Sequence, residues 1–177
     1  MAKWVADTDH SVASFIIKHM MVANVRGQFN KISAELSFDP ADISHSAVEA
    51  VIDVSGIYTG IQKRDDHLRS PDFLDVAKYP LITFKSNKAE ASGERHFKIT
   101  GDLTIHGITR PITLDTEYSG IEKSSDGDTS IGFSASTRIN REDYGLMWNV
   151  ELESGGVMVG KEVQIFLDIE ADLKIEE

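Results

Sequence analysis

The sequence predicts an all-β protein, an eight-stranded antiparallel barrel with a short helical lid at about residues 60–78. Three observations predict it. Nearly every segment alternates apolar and polar side chains with period two, as half-buried strands do. About eight such runs occur, most joined by short turns, and closing the sheet on itself hides the edges they would otherwise expose. One stretch, Gly60–Phe84, breaks the alternation and carries short-helix signals instead.

Taken in order, Trp4 to Asp9 opens a strand, and Ala13, Phe15, Ile17 and His19 share the face of the next run. Met20–Asn24 is a bend. Alternation resumes at Val25 and changes phase near Asn30, after which Ile32, Ala34, Leu36 and Phe38 face one way. Gly27 inside this run predicts a bulge or sharp bend. Val48, Ala50, Ile52 and Val54 form the next apolar face. Within the lid, Ile61 and Leu68 mark helical turns. Pro71 predicts the first turn of a second helix, capped by Ser70 or Asp72, with Phe73 and Leu74 on its apolar side.

Ile82 and Phe84 begin a strand that is expected to end near Asn87, before a loop at Glu90–Glu94. The cleanest alternation follows: Phe97, Ile99, Gly101, Leu103 and Ile105 oppose His96, Lys98, Thr100, Asp102 and Thr104. His106-Gly107 turns the chain into Ile112, Leu114, Thr116 and Tyr118, a hairpin signal. Asp126-Gly127 makes a polar turn, and Ile131, Phe133, Ala135, Thr137 and Ile139 return. Asn140–Gly160 reads as a long loop of the kind that often carries function. The last strand alternates from Val163 to Leu173, and the acidic C-terminus is expected to fray.

The 177 residues predict a single domain spanning 1–177. A formal charge of −11 speaks against nucleic acid, whose affinity comes from Lys and Arg on phosphates, and against a broad electrostatic landing patch for anionic membranes. There are no cysteines, which removes thiol chemistry. No apolar run is long enough to span a membrane, and the N-terminus shows no export signal. The expected compartment is the cytoplasm, or the periplasm if a signal has been trimmed away.

A barrel of this size either fills itself or holds one small ligand. Short residues on the inner faces (Ala34, Ala50, Gly101 and Ala135) point to a lumen. Twelve-residue strands tilted by about 40° enclose an interior roughly 30 Å long. Walled by Phe, Leu, Ile and Val, that shape suits a linear hydrocarbon, each buried methylene contributing about 0.8 kcal/mol.

Several stretches, in order, carry a likeness: Asp9-His10-Ser11 with Phe15, Ile17 and Lys18-His19; Gly27-Gln28-Phe29; Arg64 with His67-Leu68, Ser70 and Asp72-Phe73-Leu74; Tyr79-Pro80; Gly101 to Gly107 with Thr109-Arg110-Pro111; and Asn140 to Leu146 with Trp148 and Gly155-Gly156. Together they resemble the YceI-like family, from about residue 4 to 170. The resemblance implies a lipocalin-like barrel with an elongated apolar tunnel. It implies binding of polyisoprenoid lipids, isoprenoid quinones or similar amphiphiles, often by a homodimer. It brings no settled enzymatic activity and no cofactor.

The expected lining is Phe15, Ile17, His19, Phe29, Ala50, His67, Leu68, Phe73, Leu74, Phe84, Leu103, Ile105, Phe133, Ala135 and Trp148. Ordinary packed core is the competing reading of the apolar ones. His19 would meet a headgroup or sit hydrogen-bonded in the core; His67 would hold the lid shut by a local hydrogen bond or meet a headgroup. Arg26, Arg64 and Arg141 are candidate headgroup ligands, since Arg binds phosphate in a bidentate way, against surface ion pairing. No metal site is expected: no His-x-His or His-Glu-x-x-His occurs. Asp9-His10-Ser11 is not expected to form a triad, because neighbours on a strand point to opposite faces. The expected function is therefore non-catalytic binding, carriage or storage of a long-chain isoprenoid lipid. The alternatives are an enzyme acting on such lipids through His19 or His67, and a filled-barrel interaction protein.

Overall fold

The computed structural model describes residues 1–175. Eleven strand segments and one α-helix occur among them: β1 (Lys3–Ala6), β2 (Val12–His19), β3 (Ala23–Phe29), β4 (Ile32–Ser37), β5 (Ala47–Asp53), β6 (Ile57–Tyr58), α1 (Gln62–Arg69), β7 (Leu81–Gly93), β8 (His96–Ile105), β9 (Ile108–Lys123), β10 (Thr129–Asn140) and β11 (Val159–Leu173). The expected fraying end includes Glu176 and Glu177, which lie outside the described residues.

These segments make an eight-stranded closed antiparallel barrel, because the first six pair up into three long, broken strands. β11 carries β1 on its Ala171–Leu173 end and β2 on its Val159–Asp168 end, so residues 3–19 form one strand interrupted at Asp7–Ser11. β3 and β4 likewise run together, as do β5 and β6. The phase change at Asn30 is the break between β3 and β4: Phe29 and Ile32 both face inward although two residues, Asn30 and Lys31, lie between them. Ser11 bridges the first break. Its hydroxyl donates to the Glu170 carbonyl at 3.1 Å and accepts from the Glu170 N–H at 3.2 Å, so two backbone groups opposite the gap keep partners.

β8 alternates buried and accessible residues along its whole length, as its sequence predicts. His106 and Gly107 both lie at positive φ, 54° and 73°, which is the type I′ turn suited to a two-residue hairpin. One end of the barrel is packed shut. Phe38 lies 4.9 Å from Phe133 edge-on and 5.1 Å from Tyr118, centroid to centroid, and Phe97 stacks on Phe38 at 5.8 Å. Trp4 adds its indole N–H to the Phe38 carbonyl at 3.3 Å. The expectation of an interior open over its full length is thus corrected: four aromatic rings fill this end.

Local expectations fail at four places, each for a tertiary reason. β7 runs on to Gly93, since a register shift between Ser86 and Lys88 lets it follow β8 past Asn87. No second helix follows Pro71. Residues 71–78 form successive turns, closed by Asp75 N–H on the Ser70 carbonyl and Tyr79 N–H on the Asp75 carbonyl, with Asp75 at φ 48°. Gly27 is not a bulge, for β2 and β3 pair without a shift from Ala13/Phe29 to His19/Ala23. A side chain there would collide with the Phe15 ring, whose Cζ lies 2.3 Å from a Cβ built at Gly27.

Gly101 does not open the lumen either. A Cβ there would stand 2.4 Å from the Lys85 carbonyl oxygen and 2.6 Å from Phe84 Cζ. Each glycine is a seat for an aromatic ring from the neighbouring strand. Gly101→Ala is expected to destabilise by about 1–3 kcal/mol, because backbone rather than a movable side chain blocks it. A denaturant midpoint unchanged from wild type would refute this.

Candidate functional site

Between the aromatic floor and the lid lies an almost wholly apolar cavity of about 430 Å³. All fifteen side chains expected in the lining border it. Ala34, Ala50 and Ala135 do so with short side chains, while Phe84 and Phe15, seated on Gly101 and Gly27, narrow it. Phe38, Phe97 and Phe133 form its floor. The sequence reading missed Leu146 and Met158 from the 140–160 loop, and Val159, Val163, Ile165 and Leu167 from β11. The alternation of the last strand marked Val163, Ile165 and Leu167; length marked the loop, but no period within it shows which side chains turn inward.

The lid is tied down by charge on one edge and by aromatics on the other. Arg69 donates to the carbonyls of Ser55 at 2.9 Å and Ile57 at 3.0 Å. Asp65, 4% exposed, accepts from the Thr59 N–H at 2.9 Å and from its hydroxyl. Burying a carboxylate in this way is tolerable only because donors are in place. Across the mouth, Trp148 from the 140–160 loop meets the lid. Its ring packs edge-on against His67 at 4.8 Å and tilted against Phe73 at 5.1 Å. His67 donates through Nε2 to Asp72 at 2.8 Å, so its local hydrogen bond lies within the lid and its ring edge makes the closing contact.

His19 shares the face of Phe15 and Ile17 but sits at the end of β2, exposed, where the cavity border reaches the surface beside Lys18. It is a rim residue, not a core one.

The three arginines part company. Arg64 borders the cavity, and Nε and Nη2 are each held 2.7 Å from Thr59 oxygens. Arg26 lies on the outer face of β3, beside Ser14, Ile16 and Tyr58, because its neighbours Val25 and Gly27 take the inward positions. It is corrected from the headgroup set. Arg141 borders the cavity but is only 2% exposed and is engaged with backbone: Nε donates to Gly160 at 2.7 Å, Nη2 to Val159 at 3.3 Å and Nη1 to the Leu146 carbonyl. Burial pulls its pKa below the usual guanidinium value. It is a staple for the 140–160 loop, which corrects its headgroup role too.

Next to it, Tyr144 is 1% exposed and its hydroxyl has no hydrogen-bond partner among the described residues. Burial pushes its pKa up to about 12. The neutral form is thus favoured on folding, and that contribution is complete below the ordinary tyrosine pKa of about 10. It is lost as pH rises from there through about 12, an effect on the order of 2–3 kcal/mol. Tyr144→Phe is expected to remove this alkaline loss and to leave stability at pH 7 equal or higher, since an unpaired buried hydroxyl costs energy. Urea melts across pH 9–12 with unchanged alkaline slopes would contradict it.

Away from the cavity, ligand atoms of Asp7, His10 and Glu170 lie within 4.8 Å of one another on the surface. His10 Nδ1 is 2.7 Å from Asp7 Oδ2, and that carboxylate raises the imidazole pKa. Ser11, committed to Glu170 backbone, is not aligned with this pair. No helix among the described residues is long and apolar enough to cross a membrane.

Comparison with known proteins adds to this geometry. The YceI-like domain profile matches residues 4–171. A UPF0312 protein of Staphylococcus aureus (strain MSSA476) is 38% identical over 178 residues, covering 100% of each chain. The crystal structure of the Campylobacter jejuni YceI protein is similar with a TM-score of 0.75 and 34% identity, over 90% of this chain and 91% of that one. A polyisoprenoid-binding domain from Saccharophagus degradans shares the fold with a TM-score of 0.69 at 17% identity, over 98% and 100%.

Proposed function

The chain belongs to the YceI-like domain family, and from that premise we propose that its barrel binds, without catalysis, the apolar chain of an isoprenoid-type lipid for carriage or storage. One observation carries the reading: an apolar cavity of about 430 Å³, floored by aromatic rings and covered by a tethered lid. A packed interaction domain has no use for such a void, since interiors normally close-pack.

At about 30 Å³ for each water-sized group, the volume takes on the order of 14 non-hydrogen atoms. That is about three isoprene units, so a longer chain leaves the remainder and its headgroup at the mouth, near His19 and Arg64. Burial of that many carbons at about 0.8 kcal/mol per methylene gives on the order of 11 kcal/mol, of the same size as the costs of association, about 4–15 kcal/mol. The Saccharophagus domain, named for polyisoprenoid binding, supports the ligand class through a shared fold.

Native mass spectrometry of gently purified protein, with and without added farnesol or geranylgeraniol, tests the proposal. A one-to-one adduct supports it. Protein that carries no lipid and takes up neither alcohol refutes it. The homodimer implied by family resemblance is read in the same spectra, as twice the chain mass.

A further inference from the structure

Two tips flank the mouth, and neither is built as folding alone would build it. The β2–β3 turn closes with Val22 N–H on the His19 carbonyl at 3.2 Å, and its two central residues, Met20 and Met21, lie at φ 51° and 62°. That is a type I′ turn, where Asn-Gly is strongly preferred and a side chain such as Met is strained. The strain brings no burial: Met20 is 43% exposed, Met21 57% and Val22 83%. The second tip, in the 140–160 loop, exposes Met147 at 60% and Val150 at 42%. The tips are joined, since Met20 N–H donates to Met158 at 2.7 Å and Met158 N–H to Val150 at 2.9 Å. Of the five methionines, all but residue 1 sit here. His19, Trp148 and Met158 continue the patch into the cavity border.

Charge is distributed to match. The lid-side halves of the strands with their loops (residues 12–30, 53–86, 101–115 and 135–166) hold eleven Lys or Arg and twelve Asp or Glu. The remaining described residues hold seven and fifteen. Nearly all the acidic excess therefore lies toward the closed floor, and the mouth end is close to neutral. Glu151 and Glu153 within the second tip disfavour an anionic surface.

We propose that the Met20–Val22 and Met147–Val150 tips dock on a zwitterionic lipid bilayer, setting the cavity mouth against the membrane. Flexible, polarizable methionines adapt to a disordered apolar medium, and the acidic pole is kept furthest from the lipid. The use of this docking, passing a lipid chain into the cavity, rests on the function proposed above; the docking itself does not.

Flotation of the full chain with phosphatidylcholine vesicles tests it. Wild type is expected to float. The double variant Met20→Asn/Met21→Gly, which gives the turn its preferred chemistry, is expected to melt no lower than wild type yet to bind vesicles about tenfold more weakly or worse. Met147→Ser on the other tip is expected to weaken flotation independently. Wild type that stays at the bottom, or variants that float as wild type does, would overturn the proposal. So would a wild-type dimer that ignores vesicles and is made monomeric by the double variant, which would assign the patch to a second copy. Farnesol delivered in detergent separates the two claims. Flotation without farnesol uptake upholds docking and sinks the carrier function; uptake without flotation does the reverse.

Discussion

Arg141→Ala is expected to lower the melting temperature by about 10 °C at neutral pH. The guanidinium is 2% exposed and donates to three backbone carbonyls, those of Leu146, Val159 and Gly160. Truncation takes the donor from the Leu146 and Gly160 carbonyls, at about 1–3 kcal/mol each before relaxation, while Val159 still accepts from Asn149 Nδ2 at 2.8 Å. Allowing for relaxation, a loss of about 3–5 kcal/mol is reasonable, and a domain of this size shifts by about 2–4 °C per kcal/mol. Arg141→Lys recovers only part of the loss, because a compact ammonium cannot reach three diverging carbonyls as a planar fork does. Calorimetry on both variants reads the effect. If instead Arg141 served a headgroup, the Ala variant would melt like wild type and lose lipid affinity alone.

Filling the waist of the barrel is expected to have the second large effect, on binding. Ala50 and Ala135 both border the cavity. Ala→Leu adds about three carbon atoms, roughly 90 Å³ at about 30 Å³ each. The double variant Ala50→Leu/Ala135→Leu therefore removes a substantial part of the 430 Å³. Farnesol or geranylgeraniol uptake by native mass spectrometry is expected to fall tenfold or more, about 1.4 kcal/mol or greater. The melting temperature is expected to hold or rise, since apolar atoms enter a void. A packed barrel would respond in the opposite way, losing about 1–3 kcal/mol to overpacking. The pair of readouts therefore separates a binding cavity from a core.

Much of the fold was legible because alternation is a local signal with a fixed period. Phe97 to Ile105 announced its inner and outer faces, and His106-Gly107 its turn, without help from any distant residue. The change of phase at Asn30 was legible for the same reason, although its meaning, a strand broken so that the barrel can bend, was not. Gly27 and Gly101 were misread because a glycine in a strand has several uses. Which one applies depends on the neighbouring strand, here on the rings of Phe15 and Phe84. The turns after Pro71 were misread as helix because a proline is equally at home in a first helical turn and in a tight turn.

The arginines show the same boundary more sharply. Arg26, Arg64 and Arg141 are one residue type, drawn toward one role by the same chemistry. Placement separates them into an outer-face residue, a lid tether at the cavity border and a buried staple. A residue's charge is written in the sequence; the carbonyls that absorb it are brought up by chain many residues away.

By itself the sequence determined an antiparallel barrel of about eight strands, the face each strand turns inward, and the greasy character of whatever the interior holds. Only the tertiary structure decided how much room is left inside, which end is shut, and which polar groups are free to meet a ligand. The reason is physical. Period-two patterning depends on neighbours along the chain, whereas empty volume and hydrogen-bond satisfaction are properties of side chains meeting across the barrel.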